Sequence, residues 1–588
     1  MKTVFKQLNL VLEQKQKKGI FLLFLGAFFI ALLDTASVSL MAPFMTFLTN
    51  PGSGSNDVLR RSFSRFLHLN SAAEILAALS VLFIFLYLVR GICKMVYNFF
   101  QARLIALYRT ELSVKLFSYV MHKPYDYHLH HNTAETQRLV NADVANCFAL
   151  IDSITLTMSS GLLSLGIFAV LLILNWQLTL TLVFFIGLFL LFMKKFLKHL
   201  IAKMADASFS ANSEMNKWVS QTIGGLKTII AKRKQDYYIA NYGEAAKDAA
   251  MANSNYLAVN AIPKVMIDTI CMVMVFGIVF VQFITGNDIV SNLPIFATFA
   301  MAALRLVPVI GQISATINAF TFYRPSLNAI YDVMRTGEVE REATASIERQ
   351  EYERNHIGKP MSLSKEIRLS HISFHYSDTE TELFQDLNLV IPAKKSVAFV
   401  GTTGSGKTTL ADIILGLHEP TAGAILVDGQ DIRQNPVGWA DLIGYIPQFI
   451  YLCDDSIRAN VALGDEKDKI DDAWVWDCLE RAQMKEFVQG LPDGLDTITG
   501  ENGIRLSGGQ RQRIGIARAL YCRPQFLLMD EATSSLDGDT EKAIVDSINR
   551  LSGELTMLII AHRLSTIESC DIVYRVENGG AQMSKAKA

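Results

Sequence analysis

The stretch VAFVGTTGSGKTT, residues 397–409, decides the fold of the second half of the chain. Its apolar start predicts a short buried strand, its glycines predict a tight loop, and residues 410–417 follow with a helical pattern. This is the spacing G-x-x-x-x-G-K-[ST] in a strand–loop–helix context, in which backbone N–H groups and a helix N-terminus converge on phosphate oxygens. The sequence therefore predicts a nucleotide site.

Two side chains of this loop have predicted roles of their own. Lys407 is expected to reach the β- and γ-phosphates of ATP, and Thr408 is expected to ligate Mg²⁺. The residues predicted to hold the nucleotide here are Gly401, Thr402, Thr403, Gly404, Ser405, Gly406, Lys407, Thr408 and Thr409.

A second apolar run, residues 526–529, ends in the acidic pair Asp530 and Glu531. Two acids at the end of a strand are weak evidence by themselves, but they gain meaning beside a phosphate loop. We expect Asp530 to hold Mg²⁺ and Glu531 to act as the general base that activates the attacking water. Together the two motifs predict an ATP hydrolase.

The first half of the chain is much more apolar than the second. Of the 588 residues, 51% are hydrophobic and only 19% are charged, against about 25% charged in an average soluble domain. The formal net charge of −1 gives no reason to expect nucleic acid as a partner.

A run of about 20 apolar residues crosses a membrane. Six such spans are predicted, near residues 20–48, from 75 to beyond 90, 148–174, 178–193, 261–283 and 289–309.

Lysine and arginine residues predict how these spans are oriented. They cluster before the first span and in the long polar stretches that follow the second and fourth spans. Such clusters mark the cytoplasmic side, so we expect a multi-pass protein of the cytoplasmic (inner) membrane with its nucleotide-binding domain in the cytoplasm. The predicted domains are a membrane domain over 1–335, a charged linker over 336–365 and a nucleotide-binding domain over 366–588.

The segment LSGGQ at 506–510 resembles the signature of ATP-binding-cassette (ABC) transporters. Gln448, Asp537 and His562 fit the family's further loops in order and spacing, and Tyr376 fits the aromatic position that stacks on adenine. With six spans and two long loops, the chain resembles an exporter-type half-transporter. This implies a membrane domain of six transmembrane helices fused to an α/β P-loop domain, with short coupling helices near 127–136 and 222–230.

The resemblance also implies roles for matching residues. The signature residues Ser507, Gly508, Gly509 and Gln510 would bind the ATP held by a second chain, with Ser507 and Gly509 on its γ-phosphate. His562 would position that phosphate and the water, Gln448 would connect the Mg²⁺ site to the membrane domain, and Asp537 would lie at the nucleotide site. Since both halves of this composite site look intact, we expect a homodimer.

Charges inside the spans are candidates for contacting the transported molecule. Each costs roughly 3 kcal/mol to insert and is kept for a reason. Lys264 and Asp268 stand one helical turn apart, where they either neutralise each other or face the substrate. An arginine inside a span suits an anionic head group, because its guanidinium group can form two hydrogen bonds to phosphate oxygens. The candidate substrate residues are Asp34, Arg90, Lys264, Asp268 and Arg305.

Several segments are similar to one branch of the family, the bacterial flippases of lipid-linked oligosaccharides. They are MAPF at 41–44, IPK at 262–264, RLVP at 305–308 and an outer amphipathic segment at 57–70. The resemblance implies ATP-driven export or flipping of an amphiphile, with membrane lipid as surroundings and a phosphate-bearing lipid as substrate. Export of peptides, drugs or other lipids is the alternative. An ATPase without transport is disfavoured by the six spans.

Overall fold

The computed structural model describes residues 2–40, 44, 72–174, 176–284, 289–335, 361–376, 379, 381–530, 551–561 and 564–586. The predicted outer segment 57–70 lies outside them, as does most of the predicted linker. The chain divides into two compact units. The first comprises Met1–Lys123 and His128–Glu340, and the second comprises Pro124–Tyr127 and Arg341–Ala588.

The described part of the first unit is helical, and the first three residues of one short helix, Tyr125–His130, belong to the second unit. Each of the six predicted spans falls largely within one long helix: α2, α3, α6, α7, α9 or α10. Short helices lie in the two long loops, at or near the stretches predicted to hold coupling helices. The helices are α1 Lys2–Val11, α2 Gln14–Ser39, α3 Ala72–Met121, α4 Tyr125–His130, α5 Thr133–Arg138, α6 Val144–Leu174, α7 Trp176–Gly224, α8 Leu226–Ala231, α9 Gln235–Ile284, α10 Ile289–Phe322 and α11 Arg324–Arg335. A π turn, Leu139–Asp143, joins α5 to α6.

The long helices are apolar on most sides, as membrane spans are. Within the described residues, three stretches are long and apolar enough to cross a bilayer: Gln14–Ser37, Ala73–Met121 and Thr133–Ile173. A fourth qualifies if α10 and α11, which are bent by 51° at their junction, form one span. Because α3, α7 and α9 are each much longer than about 20 residues, they continue past the hydrocarbon core of a bilayer.

Polar bonds tie α10 to its neighbours. The Thr316 hydroxyl lies 2.8 Å from the Ser153 hydroxyl on α6, and the Asn318 amide donates to Asn260 on α9 at 2.9 Å. Hydroxyl and amide pairs of this kind hold helices together where lipid supplies no hydrophobic driving force.

The second unit contains two sheets. The strands are β1 Glu366–Phe374, β2 Phe384–Pro392, β3 Ser396–Val400, β4 Ala422–Val427, β5 Gln430–Asp431, β6 Ile443–Ile446, β7 Phe526–Asp530, β8 Thr556–Ile560, β9 Ile572–Glu577 and β10 Gly580–Ala586. One sheet is antiparallel with the order β2-β1-β4-β5. The other has the order β10-β9-β3-β8-β7-β6, and all its pairs are parallel except β10 with β9.

Helices of the second unit cover these sheets. They are α12 Lys407–Leu415, α13 Pro436–Leu442, α14 Ile457–Val461, α15 Asp472–Arg481, α16 Lys485–Gln489, α17 Gly508–Tyr521 and α18 Leu564–Ser569. β7 and β8 are buried throughout, because parallel strands covered on both faces are continuous apolar runs. Trp439 of α13 is buried, and its indole N–H donates to the Ile414 carbonyl at 3.0 Å. This bond holds α12 in place behind the phosphate loop.

Candidate functional site

The predicted nucleotide residues gather at one edge of the parallel sheet. The loop beginning at Gly401 follows β3, Asp530 ends β7, and Gln448 follows β6 by two residues. Since these strands are parallel, their carboxyl ends share an edge, which is where α/β sheets bind ligands. Separate sequence motifs are thus brought together by the strand order.

Glycines allow the phosphate loop to run close to its surroundings. A Cβ on Gly401 would lie 2.4 Å from the Val576 carbonyl oxygen and 2.7 Å from Ser405 Oγ. Gly406 is the N-cap of α12, with φ of 93°, a left-handed conformation that disfavours other residues. The loop therefore leads directly into the N-terminus of α12, which is the positive end of the helix dipole and favours an anion.

The phosphate loop carries polar groups suited to an anion. Lys407 is only 5% exposed, and its Nζ donates to the carbonyl oxygens of Gly401 and Thr402 at 3.0 and 2.9 Å. The lysine is thereby folded over the loop. Ser405 Oγ is buried and has no hydrogen-bond partner among the described residues. A phosphate oxygen would supply the missing partner, so the residues present fit a nucleoside triphosphate.

Negative charge is concentrated beside this loop. Asp530 is 5% exposed at the end of β7. Burial, aided by the charge of Asp530, raises the pKa of Asp412 on α12 to about 6. Burial and the same carboxylates raise the pKa of the Tyr445 hydroxyl on β6 to about 12. A pocket of this polarity favours a divalent cation, so the carboxylate oxygens fit the predicted Mg²⁺.

Tyr376 lies against the first turn of α12. Its hydroxyl is hydrogen bonded to the Thr409 hydroxyl at 2.7 Å, and its side chain is half-buried. The structure thus places the predicted adenine-stacking residue directly beside the phosphate loop, with part of the side chain still accessible.

The signature segment forms the start of α17. Ser507 is its N-cap: the Ser507 N–H donates to Gln510 Oε1 at 2.8 Å, and the Gln510 N–H donates to Ser507 Oγ at 3.3 Å. This reciprocal capping box fixes the turn, while Ser507 and Gly508 remain exposed and Gly509 is buried. No hydrogen bond described in the structure joins this turn to the phosphate loop of the same chain.

A buried network holds the segment after Gln448. Asn460 is fully buried and binds both the N–H and the carbonyl of Cys453, at 2.9 and 3.0 Å. Arg518 of α17 donates to the carbonyl oxygens of Asn460 and Tyr451, at 2.7 and 2.8 Å. The segment between Gln448 and α14 is therefore tied to the helix that begins at the signature. No local sequence pattern marks Asn460 or Arg518 as members of this network.

Three predicted site residues, Glu531, Asp537 and His562, lie outside the described residues. Their roles stay predictions. The strands that lead to two of them are described: β7 ends one residue before Glu531, and β8 ends two residues before His562.

The candidate substrate residues fall into two groups. Asp34 of α2 and Arg90 of α3 form an ion pair, and their side chains are 5% and 17% exposed. The Arg90 guanidinium also lies 5.7 Å from the centre of the Tyr87 ring. This pairing accounts for two intramembrane charges by mutual neutralisation. Their contact with a substrate stays a prediction.

Lys264 and Asp268 behave differently. Both are exposed on α9, and no ion pair joins them to each other or to another described residue. The neutralisation that their spacing allows is therefore not seen. The side chain of Arg305, within α10, is not among those described.

Residues Pro124–Tyr127, at the tip of the first long loop, belong to the compact second unit. The Tyr125 ring lies 5.7 Å from the ring of His418, which follows the C-terminus of α12. A coupling helix is predicted near this point, whereas no sequence motif assigns a role to His418.

Comparisons with known proteins agree with this architecture. The family model for the ABC transporter transmembrane region matches residues 20–305, and the ABC transporter model matches residues 384–534. The chain is 31% identical to an ATP-dependent lipid A-core flippase of Thiobacillus denitrificans, over 73% of this chain and 71% of the relative. It is 28% identical to the protein of that name from Pseudomonas fluorescens, over 86% of this chain and 82% of the relative.

A solved structure shows the same fold. It is a bacterial Atm1-family ABC exporter with ATP bound, which superposes with a TM-score of 0.75 over 97% of this chain and 95% of that one, at 20% identity. The predicted fold class, a helical exporter-type membrane domain with an α/β P-loop domain, is confirmed. The chain belongs to the ABC transporter family, as a membrane protein in which an exporter-type membrane domain is fused to an ATP-hydrolysing domain that drives transport.

Proposed function

We propose that this transporter exports or flips a lipid with an anionic phosphate head group, such as a lipid-linked oligosaccharide, across the cytoplasmic membrane. The observation that carries the proposal is Lys264, an exposed cation within the predicted span 261–283 that has no ion-pair partner among the described residues. An unpaired ammonium at this depth needs a counter-charge, and a phosphate head group provides one. The names of the two relatives, both lipid A-core flippases, support a lipid substrate.

The packing of α9 on α10 defines the position of Lys264. A Cβ on Gly311 of α10 would lie 3.1 Å from both Cβ and Cγ of Lys264. The stem of the lysine therefore rests in a notch left by the glycine. Arg305 of the same helix is a substrate candidate from the sequence, and we propose that it contributes a second positive charge to the head-group site.

ATP is the substrate of the second unit. We propose that the phosphate loop and Lys407 hold its phosphates, that Tyr376 stacks on adenine, and that Glu531 takes the proton of the attacking water while His562 orients it. Mg²⁺, held by Thr408 and Asp530 with Gln448 nearby, would neutralise phosphate charge when bound. The buried carboxylate of Asp530, whose charge adds to the effect of burial in raising the pKa of Asp412, supports a cation there.

We further propose that two copies of the chain assemble as a homodimer. The capped signature turn leaves Ser507 and Gly508 exposed, and no hydrogen bond among the described residues joins it to its own phosphate loop. Two chains arranged head to tail at this surface would complete two ATP sites. Closure of the sites on ATP and their release after hydrolysis would then switch the membrane halves.

An exposed apolar seam on α3 supports this assembly. Phe100, Leu107, Val114 and Met121 recur every seven residues and are each more than half exposed. They follow the predicted second span, where Lys and Arg residues indicate the cytoplasm, so water would otherwise surround them. A heptad seam of this kind suits a helix of a second copy.

A nanodisc ATPase assay tests the proposal. The purified protein is titrated with a polyprenyl-pyrophosphate oligosaccharide, a lipid A-core preparation and amphiphilic peptides, with Glu531→Gln as the inactive blank. Saturable stimulation by a phosphate-bearing lipid, lost in Lys264→Gln and Arg305→Ala, is expected. Lys198→Gln, an exposed lysine of α7 beyond the predicted fourth span, serves as the matched control. Stimulation by peptides alone would contradict the proposed lipid substrate and would indicate a general exporter instead.

A further inference from the structure

We propose that His418 is a positioning residue that links Tyr376, at the base-binding side of the ATP site, to Tyr125 at the tip of the first long loop. The inference rests on the proposed role of Tyr376 in stacking on adenine.

His418 lies within a cluster of aromatic rings. It is 5% exposed and follows Gly416, which caps the C-terminus of α12. The ring of Phe374 lies 5.4 Å from it, and the rings of Tyr376 and Tyr125 each lie 5.7 Å away. The two tyrosines meet it edge to face, with interplanar angles of 88° and 63°. Such contacts depend on orientation, so a turn of one ring changes the best position of the next.

The Tyr376 end of this chain of rings is anchored. Its hydroxyl is bonded to Thr409 in the first turn of α12, two residues after the phosphate-loop lysine. A base stacked on Tyr376 would restrict this half-exposed ring. His418, buried between Tyr376 and Tyr125, would carry that restriction onward.

The Tyr125 end of this chain of rings also lies in the second unit. Residues Pro124–Tyr127 group with the second unit. Burial lowers the pKa of His418, while the neighbouring carboxylate of Asp126 opposes this change. His418 thus contacts the Tyr125 ring and is affected by the charge of Asp126, both at the tip of the first long loop. If binding of the base changes the position of this loop, the position of the loop must change the affinity for the base to the same extent.

The test compares a ligand that has a base with one that does not. In full-length Glu531→Gln protein in nanodiscs, affinities for ATP and for inorganic tripolyphosphate are measured with Mg²⁺. Tyr125→Ala should weaken ATP binding about 2- to 12-fold, the range of one edge-to-face contact. Tripolyphosphate binding should not change. The Tyr125 effect should disappear in Tyr376→Ala and His418→Ala backgrounds and persist in His418→Phe, which keeps a ring.

His371→Asn, a change at an exposed histidine of the same unit, is the matched control and should alter neither affinity. Equal losses for ATP and tripolyphosphate would overturn the proposal, as would an undiminished Tyr125 effect in His418→Ala. If Tyr376→Ala leaves ATP binding unchanged, the base-stacking role itself is wrong. If it weakens ATP binding while the Tyr125 effect stays additive, only the His418 link is wrong.

Discussion

The hydroxyl of Ser507 should serve two purposes, and substitutions can separate them. Within the chain it accepts the Gln510 N–H and caps α17. Across the proposed dimer it would bind the γ-phosphate held by the partner chain. Ser507→Ala removes both interactions, whereas Ser507→Asp keeps a capping oxygen but places a carboxylate against the phosphate.

The expected magnitudes differ for the two interactions. Loss of an N-cap costs about 1 kcal/mol of stability. Loss of a hydrogen bond to a charged group costs about 1.5–3 kcal/mol, which in ATPase turnover corresponds to a decrease of about 10- to 150-fold. We therefore predict an activity order of wild type, then Ser507→Ala, then Ser507→Asp. The stability order should instead place Ser507→Asp level with the wild type and Ser507→Ala below it.

The assay is ATP hydrolysis in nanodiscs together with thermal unfolding of each variant. Asp471→Ala is the matched control, because Asp471 caps α15 by accepting the Trp474 N–H at 3.2 Å and belongs to no proposed site. It should lose similar stability and keep near-normal turnover. The reasoning is refuted if Ser507→Asp hydrolyses ATP as well as the wild type, or if Asp471→Ala loses as much activity as Ser507→Ala.

Three further predictions concern charged groups. Lys407→Ala should lower ATP affinity at least tenfold, since it removes the buried ammonium of the phosphate loop, and nucleotide titration measures this. Arg90→Gln should destabilise the protein by about 3–5 kcal/mol by removing the guanidinium charge that neutralises the buried Asp34 carboxylate, whereas adding Asp34→Asn should recover much of that loss in melting experiments. Burial lowers the pKa of His418, so the folded protein resists protonation there. Its stability should be intact above the unfolded value of about 6.5 and fall as pH drops through it. Melting curves between pH 7.5 and 5.5 should show a smaller decrease for His418→Phe, and an equal decrease would contradict this assignment.

The sequence predicted the parts of the site whose chemistry needs contiguous residues. The phosphate loop, the acid that ends β7 and the capped signature turn each depend on short spacing, so each can be recognised before the fold is known. The strand order then explains why the phosphate loop and the acid that ends β7 share one edge.

The parts that were missed depend on residues far apart in the chain. Asp34 and Arg90 are 56 positions apart, and only the packing of α2 beside α3 shows that they pair. The proposed role of His418 depends on its ring contacts with Tyr125, Phe374 and Tyr376. No local sequence pattern connects these residues. Conversely, Lys264 and Asp268 have the spacing of an intrahelical pair, yet their side chains form none. Spacing permits such a pair, but the rotamers and neighbours of each side chain decide whether it forms.

A proteoliposome assay tests the proposed transport of a phosphate-bearing lipid. A fluorescent polyprenyl-pyrophosphate sugar is incorporated in both leaflets, and its accessibility to an impermeant quencher is followed after ATP addition. We expect ATP-dependent movement by the wild type and by Lys198→Gln, and none by Glu531→Gln or Lys264→Gln. Wild-type protein that hydrolyses ATP but moves this lipid no faster than Glu531→Gln would contradict it.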